Sequence, residues 1–132
     1  MAVVPIVRYM ILCEDWSVDP NNAQRVNIQG LLTNIDSIDE PPFPLLFPEI
    51  CVLLALTEGR RTGTARIICT FEDTGQRIFG TPTRSVFLGD DPLEVVGVPF
   101  RIRDCIFPQA GLYSVQFWYN DLKIDERPLR LR

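Results

Sequence analysis

Histidine does not occur in this 132-residue sequence. Its absence removes the commonest general base, the Ser-His and Cys-His nucleophile pairs, and nearly all catalytic zinc sites. Carboxylates can still do acid–base work, but glycoside hydrolysis needs two of them at a set separation across a cleft. Here the acids come as neighbours, Glu14-Asp15, Asp39-Glu40 and Asp90-Asp91, with Asp73 and Asp104 in other turn-like settings. Adjacent loop acids hold calcium when loops converge, yet no D-x-D-x-D-G pattern is present. Solvated turn residues are the simpler reading, because Asp bonds back to nearby backbone. A phosphate loop of the G-x-x-x-x-G-K-[ST] type is missing too. No enzyme, cofactor or metal is expected.

Cys13, Cys51, Cys69 and Cys105 never form a C-x-x-C pair, which argues against zinc-knuckle and thioredoxin-type sites. Each sits in an apolar run, where a reduced thiol behaves as a small hydrophobe, and the expectation is buried thiols in a reducing compartment. Two indoles remain. Trp16 stands beside an expected loop and Trp118 on the strand face opposite Phe117. Exposed, either can stack on a sugar or a partner; covered on both sides, Trp118 is ordinary core.

The balance of 13 Lys+Arg against 17 Asp+Glu leaves a net charge of -4. Arg60-Arg61 and the late Arg127, Arg130 and Arg132 make no basic face, so nucleic acid is not expected as a partner. The opening residues are apolar but lack a basic leader, and Arg8 interrupts them. The uncharged stretch Pro41 to Pro48 carries four prolines and is far short of the roughly twenty residues of a membrane helix. A cytoplasmic protein away from the membrane is the expectation.

These residues must be positioned by strands. Eleven prolines and eight glycines break the chain at short intervals, and no window shows helical periodicity over three turns. Between the breaks lie runs rich in Val, Ile, Phe, Tyr and Thr, which suit a pleated surface. Strands are expected near Ile6–Cys13 and Arg25–Asp36, joined through Asp19-Pro20-Asn21-Asn22, with Gly30 marking a bulge or a close backbone approach. The prolines of 41–48 suggest a stiff connection that plugs one end, with Phe43 and Phe47 in it. Ile50–Leu56 is apolar on both parities and should be central.

Further strands are expected at 65–72, 77–80, 84–88 and 93–106, with an edge or a bulge at Pro99. The clearest signal is the last hairpin, Leu112–Tyr119 and Leu122–Leu131, turned by Asn120-Asp121 in a type I′ turn. Tyr119 should face Leu122 and Phe117 should face Ile124. The change of apolar parity before Leu129 and Leu131 implies a bulge between Asp125 and Pro128. The whole predicts a single domain over 1–132, an all-β antiparallel sandwich of about seven to nine strands with little helix.

Three stretches carry a resemblance: Tyr9-Met10-Ile11-Leu12-Cys13-Glu14-Asp15, Asn27-Ile28-Gln29-Gly30-Leu31, and Pro108-Gln109-Ala110-Gly111-Leu112-Tyr113 through Arg127-Pro128-Leu129. In order and spacing the chain resembles a bacterial family of small, uncharacterised β-sandwich proteins. That resemblance implies a fold and a bacterial setting, and it carries no reaction, ligand or catalytic residue.

The function expected on these grounds is a non-catalytic protein-interaction or assembly module, acting on a protein partner or by self-association into a homo-oligomer. Its candidate surface is Trp16, Asp90, Asp91, Trp118, Asn120 and Asp121. The alternative is a small-ligand module for carbohydrate or a metal, built from the two indoles and the acidic turns.

Overall fold

Period-two patterning builds ten strands and no helix among residues 4–132, which the computed structural model describes. In chain order they are β1 (Ile6–Asp19), β2 (Asn22–Leu31), β3 (Asn34–Ile35), β4 (Leu45–Thr57), β5 (Thr62–Phe71), β6 (Arg77–Gly80), β7 (Arg84–Phe87), β8 (Val96–Phe107), β9 (Gly111–Tyr119) and β10 (Leu122–Leu131). One sheet has the order β2-β1-β4-β8 and the other β3-β10-β9-β5-β6, with β7 also pairing β5. Every pairing is antiparallel except β3 with β10. The result is the expected all-β sandwich.

Alternation explains what lies between the sheets. Ile50, Val52, Leu54 and Leu56 of β4 and Val98, Phe100 and Ile102 of β8 face inward from one sheet. From the other come Ala65, Ile67, Cys69 and Phe71 of β5 and Tyr113, Val115, Phe117 and Tyr119 of β9. Aromatic edges lock the layers together: the Phe100 and Phe117 rings meet across the core at 6.3 Å, and Phe107 and Tyr113 at 5.0 Å. The Tyr113 hydroxyl satisfies itself by donating to the Gln109 carbonyl at 2.7 Å, so its ring is buried without an orphaned polar group.

Several boundaries differ from the sequence reading, each for a local reason. β1 continues six residues past Cys13, because β2 gives its second half a partner through the two-residue turn Pro20-Asn21. Trp16, Glu14 and Asp15 therefore lie in a strand rather than in a loop. The segment after Phe43 is already strand at Leu45, since β8 is long enough to pair it through Leu45↔Phe107. That pairing skips Pro48, which has no N–H to donate, and Asp104 opposite, at a φ of 55°. In the last hairpin Tyr119 does face Leu122, but Phe117 faces Asp125. The extra residue is Ile124, between Lys123 and Asp125, ahead of the Asp125–Pro128 interval where the bulge was expected, and Ile124 packs against the core.

Candidate functional site

The second apolar face of β4 needs a cover, and the sequence folds one from its own first hairpin. β1 pairs β4 from Ile6↔Thr57 down to Cys13↔Cys51 and no further, while its pairing with β2 begins at Cys13↔Leu31 and runs to Asp19↔Asn22. Beyond Cys13 the two strands thus form an arm that leaves the sheet and crosses its outer face. Gly30 sits at the departure point with φ 66°, where a Cβ would lie 2.8 Å from the Glu14 side chain. The close approach the sequence suggested there is to a side chain, not to another backbone.

Arg101 holds the arm down. It projects from β8 opposite Cys51, donates to Asp15 Oδ1 at 2.9 Å and to the Trp16 carbonyl at 2.9 Å, and reaches Glu49 Oε2 at 3.4 Å. Its guanidinium carbon stands 5.3 Å from the centre of the Trp16 indole, a cation–π contact. Under the indole lies a small apolar cluster separate from the main core, made of Cys13, Cys51 and Leu53 with Ile11 and Trp16 packed on it.

Charges here follow from those contacts. The Arg101 hydrogen bond holds the Asp15 carboxyl below its usual range and in turn raises the guanidinium. Burial pushes the Cys13 thiol up and Cys51 to about 11, despite the neighbouring cation. One ligand-type atom each from Asp15, Glu49 and Cys51 lies within 4.8 Å of the others. Arg101 already occupies this corner, donating to the Cys51 sulfur at 3.6 Å as well as to both carboxylates, and Arg103 pairs Glu49 as well.

Above the clamp the arm stands off from the sheet and leaves a groove of about 620 Å³, within the roughly 300–1,000 Å³ usual for ligand sites. Its floor is Tyr9, Ile11, Leu53, Gly97 and Pro99, and its overhang is Trp16, Val26 and Ile28. Tyr9 at 44%, Val26 at 41% and Ile28 at 41% exposure are large apolar groups in contact with solvent and gathered at one place. Gln24 and Arg25 complete the rim. Arg25 makes no ion pair among the described residues.

The residues singled out from sequence fall into separate places. Trp16 belongs to this groove, whereas Trp118 lies half-buried on the outer face of the opposite sheet, with Arg66 at 5.4 Å over its ring and its Nε1 donating to Gln116 at 3.0 Å. Asn120 and Asp121 form the hairpin turn with φ of 48° and 63°, as a type I′ turn requires. Asn120 Oδ1 accepts from the Thr64 amide at 2.9 Å. Asp90 and Asp91 are exposed in the loop between β7 and β8, where Asp91 accepts from the Leu93 amide at 3.0 Å.

Sequence reading passed over Arg101, Arg25, Tyr9, Val26 and Ile28. A signal was present in the last two, which alternate with Arg25, Asn27 and Gln29 as a strand with one apolar face.

No curated protein matches the chain. The sequence model of a family of unknown function does, over residues 8–132, and the chain accordingly belongs to that family, DUF6941.

Proposed function

We propose that the chain is a non-catalytic protein-interaction module, and that its docking site is the groove beneath the β1–β2 arm. The observation that carries this reading is the gathering of half-exposed Tyr9, Val26 and Ile28 around an apolar floor. Scattered surface apolar residues need no explanation, but a contiguous patch rimmed by polar groups marks an interaction site. Trp118, Asn120 and Asp121 support the role less, since each is already engaged with its own sheet. A carbohydrate platform is disfavoured for the same reason: each indole has an arginine over its ring.

Cys13 and Cys51 are register partners held as thiols, which fits work in a reducing compartment such as the bacterial cytoplasm, the setting implied by the resemblance described above. No helix of the described residues is long and apolar enough to cross a membrane.

The test is affinity capture of the tagged protein from its own host, comparing wild type with the double variant Val26→Lys/Ile28→Lys and with Leu122→Lys on the last hairpin. The groove variant should lose a protein that wild type and Leu122→Lys both retain. Equal capture by all three, or loss with Leu122→Lys alone, would place the function elsewhere.

A further inference from the structure

One loop of the chain is shaped and charged as a counterpart to the groove. Between β7 and β8 the sequence reads Asp90-Asp91-Pro92-Leu93-Glu94-Val95. Leu93 is 78% exposed and Val95 63%. Backbone bonds pin the loop in this display: the Glu58 amide donates to the Pro92 carbonyl at 2.8 Å and the Glu94 amide to the Asp91 carbonyl at 3.2 Å. The Asp91 carboxylate adds its bond from the Leu93 amide. Two aliphatic side chains are thus held out in water among three acids, Asp90, Asp91 and Glu94, none of which makes an ion pair among the described residues.

The groove carries the opposite charge. Its lining includes the unpaired Arg25 and no Asp or Glu, whereas the loop supplies three acids and no Lys or Arg. Apolar side chains would leave water on both partners, and the cation would meet acids, which is the complementarity that fixes register between surfaces.

Position allows the contact to be mutual. Gly97 and Pro99 line the groove, and they follow the loop directly, since β8 begins at Val96. A Cβ added at Gly97 would meet nothing within 4 Å, so the groove is open at this end. Loop and groove therefore adjoin. A two-fold axis beside them lets each of two copies lay its loop in the groove of the other, the closed symmetry commonest among homo-oligomers.

We infer, building on the docking site proposed above, that its occupant is a second copy of this chain. The Asp90–Val95 loop of each copy enters the groove of the other, with Leu93 and Val95 on the apolar floor and the acids toward Arg25.

Sedimentation of the full chain over a range of concentrations tests this. Wild type should dimerise. Val26→Lys in the groove and Leu93→Lys in the loop are exposed changes that each spoil both symmetric contacts, and at about tenfold per contact each should weaken the dimer about a hundredfold. Arg25→Glu should weaken it about tenfold or more. Mixing Val26→Lys with Leu93→Lys leaves one contact intact and should return a heterodimer about tenfold tighter than either variant forms alone, which a misfolded variant could not do.

A dimer dissolved by Val26→Lys but untouched by Leu93→Lys would overturn the loop as occupant while upholding the groove as the docking site. A wild type that stays monomeric at every concentration would overturn the second copy; a host protein captured by wild type and lost in Val26→Lys/Ile28→Lys would then still uphold the site. A dimer that survives Val26→Lys, with capture equally unaffected, would sink both.

Discussion

Arg101 makes more distinct contacts around the arm than any other side chain there, and its removal has a specific optical consequence. In a Trp118→Phe background Trp16 is the sole indole, covered by the Arg101 guanidinium. Arg101→Ala in that background should shift emission to the red and open the ring to a soluble quencher, with the thermal midpoint little changed. The Asp15 contact gives the arm a pH response of definite sign. Its folded pKa lies below the unfolded value, so the contact contributes above the ordinary carboxylate range and is lost as pH falls through the depressed value. Acid titration of the same fluorescence should show the arm releasing, and Asp15→Asn should abolish that transition.

The cysteines respond in the opposite direction. Burial holds Cys51 at about 11 and Cys69 and Cys105 at about 12, so the unfolded thiols ionise first and stability falls as pH rises from about 9 toward those values. At neutral pH all four should resist alkylation in the folded protein and react in urea, as mass spectrometry would count. Rapid labelling of Cys51 under native conditions would show that the arm does not stay closed over it.

At the scale of elements, the last hairpin and the first behave differently. The last is specified locally: Asn120 and Asp121 accept left-handed φ, Asn120 ties the turn to the Thr64 amide, and Gly63 leaves the space that the Tyr119 phenol occupies. Asn120→Ala should cost about 1–2 kcal/mol through the orphaned amide and the strained φ. Asp121→Gly, which completes the preferred type I′ pair, should raise stability by roughly 0.5 kcal/mol; both are read by urea denaturation. Such local coding is why this turn and its Tyr119/Leu122 register were legible, as were the two apolar parities of β4.

The arm was not legible. Nothing local in Glu14 to Asp19 says whether the strand stops or continues; it continues because β2 pairs it, and it bends because β4 stops pairing at Cys51. The site was lost with it, since Arg101 lies 86 residues from Asp15 in sequence. No spacing rule joins them. The bulge was recognised from parity yet misplaced, because a parity change between Ile124 and Leu129 fixes that an extra residue exists and not which one it is.

Over the whole molecule, the exposed rim of the groove lies apart from the core. Phe117 is fully buried between the sheets, against Phe100 and Tyr119, and Phe117→Ala should cost about 3–5 kcal/mol. Val26→Lys changes a half-exposed residue of a strand that carries no core position, and should alter stability by less than about 0.5 kcal/mol while removing partner binding. A surface that can be changed without harm to the fold, yet is apolar and ringed by polar groups, is what an interaction module requires. The most direct test is photo-cross-linking in the native host, with a benzophenone amino acid placed at Val26 or, as control, at Leu122. The groove position should yield a discrete cross-linked partner that the hairpin position does not. Cross-links from Leu122 alone, or none from Val26, would contradict the account.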